Sequence, residues 1–147
     1  MRTSERTTST WTRLAASAAL AGGVAWLLKQ VAIAATLRPD GQPSEGLLIG
    51  VLYLLGAALL VVGASGVVAR LTPAWPIAVR VGLAVVLAPA IFWGVFTGAD
   101  ALVDALAGPD AGWWWPSEGA IVVTALLFAA AGATALVSAR RPAAIVR

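Results

Sequence analysis

Long apolar stretches alternate with short polar segments along this chain, and each apolar stretch has the length of a membrane-spanning helix. The four stretches cover residues 14–37, 47–69, 77–98 and 119–139. An α-helix needs about 20 predominantly apolar residues to cross a hydrocarbon core roughly 30 Å thick. The pattern therefore predicts an all-α fold with four transmembrane helices. It also predicts one integral-membrane domain over residues 1–147.

The two longer polar segments resemble each other, which indicates an internal repeat. Each begins with Pro-Asp, at residues 39–40 and 109–110, and each ends with Pro-Ser-Glu-Gly, at residues 43–46 and 116–119. In both copies the tetrapeptide comes directly before an apolar stretch. We therefore predict a four-helix transmembrane bundle built from two parallel repeated helical hairpins, related by an axis along the membrane normal.

The repeated tetrapeptide has two interpretations. In the first, Ser44 and Ser117 cap the helices that follow, because a serine side chain accepts a hydrogen bond from a free backbone N–H of the first turn. Glu45 and Glu118 then lie in that first turn, where the helix dipole favours an anion. In the second interpretation, the two carboxylates form a quasi-symmetric pair that binds a cation or a basic partner.

Charged residues are divided unevenly between the two sides of the predicted membrane. The cytoplasmic side of a membrane protein carries an excess of arginine and lysine, so the arginine-rich side is predicted to be cytoplasmic, together with both termini. The arginine-rich side carries one acid, Glu5, and the arginines Arg2, Arg6, Arg13, Arg70, Arg80, Arg140, Arg141 and Arg147. The other side carries one arginine, Arg38, and the acids Asp40, Glu45, Asp100, Asp104, Asp110 and Glu118.

The composition excludes several kinds of chemistry. The chain has neither cysteine nor histidine, so it has no disulfide, no thiolate nucleophile and none of the usual ligands for zinc or haem. No cofactor, metal or catalytic group is expected, and the protein is predicted not to be an enzyme. The orientation rule explains the basic charge better than a nucleic-acid partner does. The bias towards arginine, alanine, glycine and valine favours a high-G+C bacterial genome, and hence a multi-pass protein of the bacterial plasma membrane.

Lys29 is the most unusual residue of the first apolar stretch. It lies about eight residues, or roughly 12 Å, from the outer end of that stretch. A lysine at this depth is unfavourable unless it is paired or reaches the interface. The residues on its side of the helix are small, and small faces of transmembrane helices pack against other helices. Lys29 is therefore predicted to point into the bundle, together with Ala15, Ala18, Gly22, Ala25, Ala32 and Thr36.

Small residues also suggest helix contacts on the other stretches. On the second stretch the predicted contact face contains Gly46, Gly50, Tyr53 and Ala57. Gly94 and Gly98 repeat the Gly-x-x-x-Gly spacing of Gly46 and Gly50, which permits close approach of helices within the chain or to another chain. Tryptophans near the ends of the stretches are interpreted as anchors in the headgroup layer. These are Trp11, Trp75, Trp113, Trp114 and Trp115.

Polar residues near the outer ends of the stretches predict a pocket in the outer half of the bundle, with Lys29 at its floor and Thr124 near it. The expected partners of Lys29 are, in order, Asp100, Glu45 and Tyr53. A structural ion pair and a binding or conduction site both remain open. The candidate binding residues are Lys29, Tyr53, Thr97, Asp100, Asp104, Glu45 and Glu118.

Two classes of function follow from these features. The first is a non-enzymatic accessory or scaffold subunit that packs against a larger membrane assembly, which the absence of catalytic residue types and the short loops favour. The second is a small homo-oligomeric transporter or channel that uses the polar pocket around Lys29. The partners expected in either case are the lipid bilayer and another protein or further copies of this chain.

Overall fold

Four α-helices make up most of the chain. The computed structural model describes residues 2–36, 46–108, 112 and 114–140. All four helices are long and apolar enough to cross a membrane, with mean hydropathies between 1.5 and 2.6 over the candidate spans. The predicted all-helical fold with four candidate spans is therefore confirmed. The helices are α1 (Arg2–Ala35), α2 (Leu47–Leu71), α3 (Ile77–Ala107) and α4 (Trp114–Arg140).

The start of α4 differs from the prediction. The helix begins at Trp114, so Glu118 lies in its second turn and the first turn contains no acidic residue. Pro116 is compatible with this earlier start, because N–H groups of the first turn have no intrahelical acceptor. The interpretation of Ser117 as a helix cap is therefore wrong. At α2 the residue before the helix is Gly46, which makes no side-chain capping bond, and Ser44 and Glu45 lie outside the described residues.

The helices form a ring in the cyclic order α1, α2, α3, α4, and each packs mainly against its two neighbours in that ring. Gly22 of α1 lies against Gly56 of α2, and Ala19 of α1 lies against Gly63 of α2. The positions rise along one helix and fall along the other, so these two helices are antiparallel. One end of the ring contains Arg70, and we call it the arginine end. We call the opposite end of the ring the acidic end.

The backbone of α1 approaches those of α2 and α4 closely because glycine and alanine line both contacts. A Cβ atom at Gly23 would lie 2.5 Å from the carbonyl oxygen of Ala125, and one at Gly132 would lie 2.5 Å from that of Ala16. Side chains have no space at these contacts, as expected where small residues allow transmembrane helices to meet. The predicted inward face of α1 is confirmed at Ala15, Ala18, Gly22 and Ala25, which are buried. It does not continue to the end of the helix, since Ala32 is half-buried and Thr36 is exposed.

The predicted contact face of α2 is right in part: Ala57 packs against the core and Tyr53 stacks on Trp26 of α1, whereas Gly46 and Gly50 are exposed. Gly50 is exposed, with no heavy atom within 4 Å of where its Cβ would be, and Tyr53 is 40 % exposed. Nearly every residue of α2 is apolar, so hydrophobic periodicity does not mark which side faces the bundle. The close contacts at Gly56 and Gly63 fix that side instead. The buried residues of α2 are Gly56, Leu60, Ala64, Val68 and Ala69.

Aromatic rings fill the diagonal between α1 and α3, whose backbones remain apart in the described part of the chain. Trp26 of α1 is 1 % exposed. Its ring centroid lies 5.8 Å from that of Phe92 and 6.1 Å from that of Phe96, both in edge-to-face geometry. Such geometry is favourable for aromatic pairs, so one tryptophan joins α3 to a core that otherwise consists mainly of small residues.

Adding a side chain at the α1–α4 contact should destabilise the bundle. We expect Gly23→Val and Gly132→Val each to lower the free energy of unfolding by about 1–3 kcal/mol, the usual effect of overpacking. Gly94→Val is the matched control, because the space around Gly94 is open. Thermal unfolding in mild detergent measures the difference. Equal losses for Gly23→Val and Gly94→Val would contradict the close contact between α1 and α4.

Candidate functional site

A buried ion pair joins α1 to α4 near the acidic end of the bundle. The Nζ atom of Lys29 lies 2.5 Å from Oε2 of Glu118, and the two side chains are 7 % and 13 % exposed. Gln30 Nε2 donates a second hydrogen bond to the same carboxylate oxygen at 2.7 Å. Neighbouring residues of α1 therefore hold one carboxylate of α4 through a charged and a neutral donor.

The ring of Tyr53 lies beside the ammonium group of Lys29. Lys29 Nζ is 5.6 Å from the ring centroid, within the range in which an aromatic face attracts a cation. Trp26, one helical turn before Lys29, stacks on Tyr53 with a centroid distance of 5.7 Å and donates from its indole N–H to the Tyr53 carbonyl oxygen at 2.9 Å. The cation thus contacts groups from α2 and α4, while Trp26 fixes the tyrosine.

The register between α1 and α4 explains why these side chains meet. Gly23 of α1 lies against Ala125 of α4. Seven residues onward along α1 lead to Gln30, and seven residues back along the antiparallel α4 lead to Glu118. Two turns of helix therefore separate the close backbone contact from the ion pair on both helices. The small residues set the register, and the register brings the charges together.

The structure brings together only part of the predicted pocket. Lys29 faces protein as predicted, and Tyr53 and Glu118 lie beside it. Asp100, ranked first as its partner, is the wrong choice because the ion pair goes to Glu118. Both Asp100 and Asp104 lie on α3, which sits diagonally across the bundle from α1. Glu45 lies outside the described residues.

Asp104 and Thr97 both face away from the bundle. Asp104 is exposed, whereas Asp100 is half-buried. The hydroxyl of Thr97 donates to carbonyl oxygens of its own helix, at 3.0 Å to Trp93 and 3.2 Å to Gly94. Helical spacing correctly places Thr97, Asp100 and Asp104 near one another on α3. It does not show that the three residues lie away from Lys29.

Two polar atoms near the ion pair are buried without a hydrogen-bond partner in the described part of the chain. They are Oε1 of Gln30 and Oγ1 of Thr124. Thr124 is fully buried, one to two turns along α4 from Glu118. The hydroxyl groups of several other threonines donate instead to the carbonyl oxygen four residues earlier, a common hydrogen bond for a hydroxyl group in a helix. These are Thr36, Thr72, Thr97 and Thr134.

A second buried cation lies at the arginine end. Arg80 is 2 % exposed; it donates to the Ala69 carbonyl oxygen at 3.1 Å, and its guanidinium carbon lies 5.1 Å from the ring centroid of Trp11. Carbonyls in the last turn of a helix lack intrahelical donors and carry partial negative charge. Trp11 also donates to Ser65 Oγ at 3.0 Å, so it packs between helices rather than serving only as a headgroup anchor.

Sequence reasoning missed three features of this arrangement. It listed Glu118 among the candidate pocket residues but not as a partner of Lys29, left Trp26 and Gln30 out of the site, and placed Arg80 among the flanking charges. The position of Arg80 is a usable signal, because it lies three residues inside the apolar stretch that starts at Ile77. No groups of three or more acidic side chains that could hold a metal ion occur among the described residues.

Comparison of the chain with protein-family models, with curated proteins and with solved structures finds no match. The site is therefore interpreted from its own chemistry. An ammonium group, a carboxylate and an amide that satisfy one another inside a bundle primarily fix the position of two helices. Removal of either charge leaves the other buried without its counterion, which is strongly unfavourable.

Removal of one member of the ion pair should destabilise the bundle more than removal of both members. We expect Lys29→Leu to lower the free energy of unfolding by about 3–5 kcal/mol, because Glu118 remains buried without a counterion. The double variant Lys29→Leu with Glu118→Leu should recover most of that loss. Denaturation in mild detergent provides the measurement, and Asp100→Asn serves as a control that is expected to change little. A double variant no more stable than Lys29→Leu alone would contradict the pairing.

Proposed function

We propose that this protein is a non-enzymatic accessory or scaffold subunit that packs within the membrane against a larger assembly. The observation that carries the proposal is a stripe of small residues on α3 that faces away from the bundle. We call this stripe the open α3 face. Its members are all exposed and recur at spacings of three or four residues: Ala90, Gly94, Thr97, Gly98, Ala101 and Ala105.

Small residues on a transmembrane helix usually mark a contact with another helix. Lipid tails are as apolar as bulky side chains, so helices associate in a membrane mainly where small residues let their backbones approach closely. At Gly23 and Gly132 this expectation is met inside the chain. At Gly94 and Gly98 no heavy atom lies within 4 Å of where a Cβ would be. The open α3 face therefore has the composition of a helix contact without a helix on it, which supports a partner at this surface.

The exposed part of α2 differs from the open α3 face and suits acyl chains. Leu54 and Val62 are 68 % and 50 % exposed. Bulky side chains of this kind cover the backbone and allow no close approach of a second helix. The contrast between two neighbouring helices supports a partner on α3 in particular rather than around the whole bundle.

The ion pair also supports an accessory role over a binding role. Lys29 and Glu118 are largely buried and bonded to each other, and Gln30 occupies the same carboxylate oxygen. Their charges are thus used to hold α1 against α4. A partner on the opposite side of the molecule would meet a bundle whose shape is already fixed.

We further propose that the protein resides in a bacterial plasma membrane with its arginine end in the cytoplasm, as the distribution of arginines indicates. We also propose that the α1–α2 and α3–α4 hairpins arose by duplication. Alignment of the two Pro-Asp pairs makes Ala99 the counterpart of Lys29, and Ala99 is buried, at 4 % exposure. The two proposed halves would thus share a buried position, with a cation in only one of them.

The open α3 face can be tested by making it bulky. We expect Gly98→Leu and Ala101→Leu to remove a co-purifying membrane protein, or a second copy of the chain, because a leucine prevents close helix approach. The measurement is native mass spectrometry of the full chain extracted from its own membrane in mild detergent. Gly50→Leu is the matched control, since Gly50 is also exposed with open space around it but lies on α2.

The stability of each variant should equal that of the wild type, because none of these side chains meets another helix of the chain. A complex that survives Gly98→Leu and Ala101→Leu but is lost with Gly50→Leu would contradict the assignment of the contact to α3. A wild-type protein that is monomeric in every extraction condition would contradict the accessory role itself.

A small transporter or channel is the second candidate, and the unpartnered atoms of Gln30 and Thr124 favour it. Both are buried on the inside of the bundle near the ion pair, where a passing ion or water could use them. The accessory proposal predicts that liposomes containing the wild-type protein conduct protons and alkali cations no faster than empty ones. Flux that exceeds this background and disappears with Thr124→Val would instead establish the transport function.

A further inference from the structure

A cavity of about 390 Å³ lies between the helices in the half of the bundle nearer the arginine end. Small residues of three helices line much of it, among them Ala16, Gly63 and Ala131. Val67 and Leu127 also line the cavity and are 44 % and 54 % exposed. It is therefore open at the side of the bundle, where a membrane-spanning protein meets hydrocarbon.

The lining changes character along the length of the cavity. Its deep part is apolar, with Ile91 and Val95 of α3 and Phe128 of α4, whereas the side chains of Thr12 and Arg70 lie towards the arginine end. Arg70 belongs to the last turn of α2, seven residues or about 10 Å from Gly63. The cationic group thus lies at the depth expected for lipid headgroups.

Arg70 differs from the buried cations Lys29 and Arg80. Lys29 is bonded to Glu118, and Arg80 to the Ala69 carbonyl oxygen and the Trp11 ring. Arg70 is exposed, and no ion pair links it to a described carboxylate. A guanidinium group of this kind binds phosphate through paired N–H donors.

We propose that this cavity binds an anionic phospholipid, with one acyl chain between the helices and its phosphate on Arg70. The volume lies within the range of ligand pockets, which are mostly apolar with a few placed polar groups. Water is a poor occupant of the deep part, because a buried water needs two to four polar partners. A free phosphate would satisfy Arg70 but leave the apolar part unfilled. The inference requires only that the bundle spans a membrane and is independent of the proposed accessory role.

The experiment measures lipid binding to the delipidated full chain in a mild zwitterionic detergent. Native mass spectrometry and thermal unfolding are recorded with dioleoyl phosphatidylglycerol, with dioleoyl phosphatidylcholine and with inorganic phosphate. We expect phosphatidylglycerol to bind and stabilise the protein most. Arg70→Gln should weaken phosphatidylglycerol binding about tenfold, the effect of losing one strong charge-assisted contact. Arg13→Gln removes the same charge outside this cavity and should leave binding unchanged.

A second pair of variants tests the acyl-chain site directly. Ala131→Phe places a ring in the cavity and should abolish the binding of both phospholipids. Ala130→Phe is the matched control, because Ala130 is the exposed neighbour of Ala131 and does not line the cavity. The proposal is overturned if the two phospholipids bind equally, if inorganic phosphate alone reproduces the stabilisation, if Arg13→Gln is as harmful as Arg70→Gln, or if Ala131→Phe binds like Ala130→Phe.

Discussion

The close approach of α1 to both α2 and α4 is the constraint on which the rest of this structure depends. A Cβ atom at Gly132 or Gly23 would lie only 2.5 Å from the carbonyl oxygen of Ala16 or Ala125, respectively. Helices that meet at such contacts cannot slide or rotate past each other without collision, because the interlocking leaves no tolerance for volume change. One register between α1 and α4 is thereby selected, and that register places Glu118 beside Lys29 and Gln30.

Lys29 and Arg80 are both buried in this bundle, and their described contacts differ. Lys29 has a full counterion, so its burial depends on one residue of another helix. The partners of Arg80 include the Ala69 carbonyl oxygen and the face of Trp11, both of which offer partial charges. A planar guanidinium suits such diffuse partners better than a compact ammonium does. An arginine at position 80 therefore suits the carbonyl oxygen and the aromatic ring that contact it.

The sequence was sufficient for the helices and for the direction of Lys29, but not for its partner. Length and hydropathy identify spans without reference to neighbours, and the small residues beside Lys29 mark an inward face on one helix. The partner depends on the rotation and register of α4, and Glu118 precedes an almost uniformly apolar segment with no periodicity to fix either. Tyr53 was correctly placed near Lys29 by depth, although the predicted contact face of α2 was wrong at Gly46 and Gly50 for the same lack of periodicity.

The distance along the chain between the members of the ion pair has a consequence for synthesis. Lys29 and Glu118 are 89 residues apart, so the first helix is synthesised well before the carboxylate that it finally holds. During that interval α1 is the least apolar span, with a mean hydropathy of 1.5, and it carries a cation that the finished bundle would bury. The last helix thus supplies the counterion for a lysine of the first helix. A chain truncated before α4 lacks Glu118, so Lys29 has no counterion from that helix. This unpaired charge distinguishes the truncated chain from the complete bundle.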